Sequence, residues 1–245
     1  MTTVGETLKG DIAMIEEPPL LTIQRPKNRP TVKQIEAFQG VATGFVVDAL
    51  YGGGAFSMDI KPIGAGRDIN CVAAGPALTA NNGPADILAT LASLNFALEG
   101  DIVVAAFDGF QGCAAAGDRV MGQMKNNGVA GFVTDGPMRD YPGLVEVGMP
   151  AWCTGLNPAS PFAKGPGSVG TTIQIGGQQV ETGDMIIADR DGVVVVPFAK
   201  IDEVLASLEH VKKLEAELDA NVAAGQRTSG AIDQLLKSDQ VRFVD

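Results

Sequence analysis

The chain has 245 residues, of which 45% are hydrophobic, 19% charged and only 5% aromatic, with a formal net charge of −11. That charge excludes non-specific nucleic-acid binding, which needs clustered Lys and Arg, but not an anionic substrate gripped by one local arginine. No apolar run reaches the ~18 residues of a membrane span, and a single histidine, His210, leaves no basis for Ser-His-Asp, Cys-His or multi-histidine zinc chemistry.

Residues 1–30 read as an extended, proline-bearing arm suited to packing on a neighbouring subunit. Residues 31–225 read as one domain and 226–245 as a tail. The first twenty residues lack the apolar centre of a secretory signal, so the expected location is the cytoplasm. Thr31 is placed to cap a helix running to Phe38, and Thr43 to cap a short helix closed by Gly52. Strands are expected at Asp59–Pro62 and about Cys71–Thr79. After the Asn81-Asn82-Gly83 turn, Pro84 suits a first helical position, with Ile87, Leu88, Leu91, Leu94 and Leu98 as the apolar stripe and Gly100 as the stop.

The run 102–107 (IVVAAF) predicts a strand buried on both faces. A glycine-rich loop with Gly109, Gly112 and Gly117 follows, then a helix ending at Asn126-Asn127-Gly128 and a strand at 129–135. Strand, helix and strand at this spacing imply a parallel crossover, with any ligand beyond the carboxyl ends of the strands. Further on, 149–155 is a short strand and 157–170 a proline- and glycine-rich loop. Two hairpins turn at Gly176-Gly177 and at Arg190-Asp191-Gly192. An amphipathic helix spans Lys200 to Leu218, and the tail is helical. Hairpins after a parallel unit suggest an α/β fold with a mixed sheet or a compact sandwich rather than a purely doubly wound one.

The chemistry concentrates between Phe107 and Asp140. Glycines before a helix leave free N–H groups at its positive end, an anion site, although such glycines also serve ordinary turns. An adjacent Arg139-Asp140 suits either a surface ion pair or a carboxylate grip beside a hard cation. Asp118 is either a helix-start acid or an acid that orients a water. Turn chemistry accounts for Asp189 and Asp191. Cys71, Cys113 and Cys153 form no zinc or disulfide pattern, and Cys113 has no nearby histidine to activate it. No lysine lies in a continuous apolar strand, which disfavours a Schiff base while leaving Lys61 open. Any metal is therefore oxygen-ligated, Mg2+ or Mn2+.

The GDRVM segment at Gly117, the spacing from Asp118 to Arg139-Asp140, and the KPIGAGR, GPALTA and GGQQVETGDMIIADRDGVVVVP segments together resemble the class II pyruvate aldolases. These act on 4-hydroxy-4-methyl-2-oxoglutarate or 4-carboxy-4-hydroxy-2-oxoadipate, and their superfamily includes the regulator of ribonuclease activity A. The resemblance covers roughly residues 35–225. It implies a compact αββα sandwich like a phosphohistidine swivelling domain, assembled as a homotrimer or homohexamer with sites between subunits. It implies a lyase releasing pyruvate, with oxaloacetate decarboxylase activity, or alternatively a non-catalytic regulator that binds a ribonuclease. By the same resemblance Arg139 binds the 2-oxo acid, Asp140 holds Mg2+ through waters, and Asp118 orients the water that protonates the enolate. Backbone amides from Gly117 to Val120 take the carboxylate, with Val120 where a bulkier Leu is expected. Arg119 either meets the distal carboxylate or has no role, and Glu215 is the expected acid from a neighbouring subunit.

Overall fold

Short apolar runs separated by glycine turns build eleven strands and seven α-helices among residues 17–244, the part of the chain that the computed structural model describes. In chain order these are β1 (Leu21–Ile23), α1 (Val32–Phe38), α2 (Thr43–Ala49), β2 (Lys61–Pro62), β3 (Ala73–Asn81), α3 (Leu88–Ser93), β4 (Ile102–Ala106), α4 (Asp118–Asn126) and β5 (Gly131–Thr134). There follow α5 (Tyr141–Val147), β6 (Ala151–Cys153), β7 (Gly167–Val169), the hairpin β8 (Ile173–Ile175) and β9 (Gln178–Val180), the hairpin β10 (Met185–Ala188) and β11 (Val193–Val196), α6 (Ile201–Ala223) and α7 (Gly230–Leu235).

The main sheet runs β1-β7-β3-β4-β5-β6-β2. Its centre, β3 to β6, is parallel, whereas β7 and β2 join antiparallel. Strand β3 belongs to two pairings: Ala77–Asn81 lies beside β4, and Ala73–Pro76 lies antiparallel to β10. The expected α/β fold with a mixed sheet and a C-terminal helix is thus observed.

The β10–β11 hairpin separates two apolar layers by the two-residue side-chain period of a strand. Ile186, Ala188, Val193 and Val195 face the central core, which Trp152, Phe132, Met121 and Met124 fill. Met185, Ile187, Val194 and Val196 face the other way, against Phe38, Val46, Ile201, Val204 and Leu208 of α1, α2 and α6. Val193–Val196 reads as a uniform apolar run because both of its faces are covered.

Several local expectations change. Thr31 does cap α1, in a capping box with Gln34. Thr43 is not a cap but the first residue of α2; the Asp189 carboxylate takes its N–H and its hydroxyl, each at 2.8 Å. Asp189 therefore does more than shape its own turn. Helix α3 is shorter than its stripe at both ends: it stops at Ser93, so Leu94 and Leu98 lie beyond it and Gly100 is not its stop, and residues 84–87 are drawn off its start. Asp86 accepts the Leu88 N–H at 2.8 Å and the Lys164 N–H at 2.7 Å, and bridges in parallel to Phe162. The expected proline- and glycine-rich loop contains β7, and α5 was not anticipated.

Of the expected arm, residues 17–30 are tied to their own chain by β1 on β7 and by an Arg29–Asp101 ion pair. Residues 1–16 lie outside the described residues. No helix among the described residues is long and apolar enough to cross a membrane.

Asp184 illustrates how this fold uses buried carboxylates. It is 6% exposed and accepts the N–H groups of Glu181 and Phe198, each at 2.8 Å. Burial raises its pKa above the ordinary value, more than these hydrogen bonds lower it. A carboxyl with a raised folded pKa binds more protons in the native state. Its linked stability is complete below the unfolded pKa, near ~4, and is lost as pH rises through the folded value. Asp184→Asn should remove this loss, flattening the melting temperature against pH in the window just above pH ~4. It should also lower stability by about 1–3 kcal/mol, since one N–H loses its acceptor. Thermal melts of both proteins from pH 4 to 8 check both effects, and parallel curves would contradict the first.

Candidate active site

A cleft of about 540 Å³ opens where α4 and α5 begin. It is lined by Ala116, Gly117, Asp118, Arg119 and Val120 on one side and by Arg139 and Asp140 on another. Ile87, Leu91, Ser160 and Pro161 complete it. All six residues singled out between Gly117 and Asp140 therefore share one cavity, at the carboxyl ends of parallel strands.

The backbone brings them together. Ala116 and Met138 form a parallel bridge, extended by Met138 to Leu156. The Arg139 N–H donates to Ala116 O at 3.0 Å, and the Ala115 N–H to Pro137 O at 2.7 Å. The start of α4 thereby lies beside the start of α5. Asp140 occupies the N-cap position of α5 with φ 61° and ψ 45°, a left-handed conformation that Asp tolerates better than most residues. This turn throws the Asp140 carboxylate back toward Gly117.

Gly117 itself is extended (φ −138°), so its backbone would accept any residue. Its lack of a Cβ matters for space, because a Cβ there would stand 2.6 Å from Asp140 Oδ2 and 3.1 Å from Arg139 Cγ. Gly143 plays the same part for Asp118, whose Oδ2 would lie 2.4 Å from a Cβ at 143.

The charged groups are held unequally. Arg139 Nε pairs with Asp140 Oδ2 at 3.2 Å, and its Nη1 donates to Ser160 Oγ. Asp118 makes no ion pair among the described residues; its Oδ1 takes the Arg119 N–H at 2.6 Å. No side chain caps α4, so other first-turn N–H groups remain for an anion.

The other candidates sit elsewhere. Gly109 is not in this cleft; its N–H binds Asp135 Oδ2 at 2.8 Å, and together with Gln111, Lys61 and Thr154 it lines a separate polar cavity. Burial raises the Asp135 carboxyl above its usual range despite its hydrogen bonds to Phe107 and Gly109. Cys113 packs in a small cluster with Phe107 and Ala115, and burial pushes Cys153 up to about 11, which suits inert core thiols. Glu215 lies on α6, outside the lining of its own chain's cleft.

In the sequence Ile87 and Leu91 read only as part of a helical stripe, and Ser160 and Pro161 only as loop residues. They reach the cleft through the pairing of residues 85–87 with Phe162, which no local pattern signals. Helix α5 had a signal: Pro142 in its first turn and Gly148 in the left-handed position after it.

For a metal, the donors available are two carboxylates, Asp118 and Asp140. No group of three or more His, Cys, Asp or Glu side chains converges among the described residues. That set fits a hard cation keeping several waters, as Mg2+ does, and does not fit zinc.

The family profile described as RraA-like, Aldolase/RraA, matches residues 43–195. A protein from Halalkalibacterium halodurans named "Putative 4-hydroxy-4-methyl-2-oxoglutarate aldolase" is 34% identical over 190 residues, 78% of this chain and 87% of that protein. The structure of Streptomyces coelicolor RraAS2, described as an unusual member of the RNase ES inhibitor RraA protein family, superposes with a TM-score of 0.65 at 27% identity, covering 79% of this chain and all of that one. An uncharacterized protein from Pseudomonas syringae shares the fold with a TM-score of 0.71 at 22% identity, covering 83% of this chain and 94% of that one.

Gly117→Ala tests the close approach. The backbone conformation accommodates alanine, so the melting temperature should stay within a few degrees of wild type. The new methyl should displace the Asp140 carboxylate and Arg139, visible in a crystal structure of the variant. An unmoved pair would show that the contact does not set their positions.

Proposed function

The chain belongs to the RraA-like family, Aldolase/RraA, and on that premise we propose that it is a metal-dependent carbon–carbon lyase. Its substrates would be 4-hydroxy-2-oxo acids, including diacids, cleaved to pyruvate and a second carbonyl compound. The observation that carries this reading is the meeting of Arg139, Asp118, Asp140 and the uncapped start of α4 in one cleft.

Each group has a task suited to its chemistry. Arg139, braced through Nε and Nη1, keeps its other N–H groups for the 2-oxo acid. The first-turn N–H groups of α4 and the helix dipole take carboxylate oxygens. Breaking the C3–C4 bond removes the proton of the C4 hydroxyl and returns one to C3. Asp118, the cleft carboxylate without an arginine partner, orients the water that delivers the proton to C3. Arg139 stabilises the enolate charge as it develops. Asp140 would hold Mg2+ or Mn2+ largely through waters, and the bound ion would supply Lewis-acid polarisation of the 2-oxo group.

Oxaloacetate loses CO2 to give the same enolate, so decarboxylation belongs to the same proposal. So does a homotrimer or homohexamer in which α6, with Glu215, approaches a neighbouring cleft. Leu214, Leu218 and Val222 are exposed along the outer half of α6, in keeping with that packing.

A lactate-dehydrogenase-coupled assay should detect pyruvate from oxaloacetate or a branched 4-hydroxy-2-oxo acid, dependent on Mg2+ or Mn2+ and abolished by a chelator. Arg139→Ala should reduce kcat/KM by about 100-fold or more, the scale of losing a donor to a developing oxyanion. Asp118→Asn should lower kcat by about 100-fold, within the range for a lost proton-transfer group. No turnover of any of these substrates with either metal would refute the lyase and leave a protein-binding regulator as the reading.

A further inference from the structure

Arg139 is held by two oxygens of different origin. Asp140 is its chain neighbour, but Ser160 comes from a segment twenty-one residues away. We propose that Ser160 is a positioning residue, which fixes the plane of the Arg139 guanidinium so that its free N–H groups face the cleft. The inference rests on the lyase reading for its kinetic consequences, though not for the contact itself.

The segment around Ser160 is built as a rigid bracket. At one end the Asn157 N–H donates to Met138 O at 2.9 Å, and Asn157 Nδ2 to Gln111 O at 2.9 Å. Asn157 Oδ1 then accepts the Ala159 N–H at 2.9 Å, closing a turn on its own backbone. The Ala114 N–H donates to Ala159 O at 2.9 Å. At the other end the Phe162 N–H donates to Ala85 O at 2.8 Å, and the Ile87 N–H to Phe162 O at 2.9 Å. Pro158 and Pro161 restrict the backbone between these anchors.

Ser160 is thus suspended between the residue that precedes Arg139 and the apolar wall carried by Ile87. A serine hydroxyl can both accept from the guanidinium and donate onward, which an alanine cannot do. Arginine loses several rotatable bonds of freedom when fixed, so bracing it beforehand lowers the entropic cost of binding a carboxylate. Because Ser160 is exposed on a loop, its removal should not disturb folding.

The test compares Ser160→Ala and Ser160→Thr with wild type, by kinetics with oxaloacetate and by 15N NMR of arginine Nε–H groups, the Arg139 signal being assigned with Arg139→Lys. Ser160→Ala should speed exchange of the Arg139 signal and raise KM about tenfold, with kcat changed much less. Ser160→Thr, which keeps the hydroxyl, should restore both. A change in melting temperature without a change in the Arg139 signal would mean that Ser160 is merely structural and would overturn the inference. If wild-type protein turns over no substrate, the lyase reading fails, and the Arg139 signal alone still decides whether Ser160 braces it.

Discussion

The bridge between Ala116 and Met138 is the contact on which the site depends. It lies just past the ends of two parallel strands, where the chain has left β4 and β5 but has not yet entered α4 and α5. Two helix starts are thereby held side by side, and the residues beginning each helix point into one space. Glycine at 117 and 143 permits the approach, since a Cβ at 117 would stand 2.6 Å from Asp140 Oδ2 and one at 143 would stand 2.4 Å from Asp118 Oδ2. A side chain at either position would have to push the nearby aspartate or arginine side chains from the places they now hold in the cleft.

Elsewhere in the fold, carboxylates serve the backbone. Asp86 collects N–H groups from Leu88, Lys164 and Gly165, Asp135 from Phe107 and Gly109, and Asp184 from Glu181 and Phe198. Asp189 starts α2 from the far side of a hairpin. Each takes two or more donors that would otherwise be unsatisfied near the core, a costly arrangement if left open. Much of the acidic character of this chain is therefore structural, while the cleft itself balances two aspartates against two arginines.

The strongly periodic or uniformly apolar segments could be read correctly from sequence: β4, the two hairpins, α4 and α6 all lie where residue pattern places them. Misreadings fell where a distant group competes with the local signal. The stripe from Ile87 to Leu98 is helical in pattern, yet Asp86 and Phe162 claim its first residues. Tyr141 to Val147 carries a glycine inside a helix, a residue that disfavours the conformation, because Gly143 must make room for Asp118. Strand β7 hides among prolines and glycines because it is short and is defined by its partners, β1 and β3.

By itself the sequence determined the kind of chemistry available: one histidine, no lysine in a continuous apolar strand, and an acid, an arginine and an acid set around a helix and a strand. It determined the α/β class as well, since strand and helix periods are local properties. Only the tertiary structure decided which of the glycines serves the cleft, that Asp135 and Lys61 belong to a different cavity, and that Ser160 completes the grip on Arg139. The reason is physical: residue type and spacing specify backbone conformation over one or two turns, whereas a site is made by side chains that meet across elements, and those meetings follow from packing the whole chain.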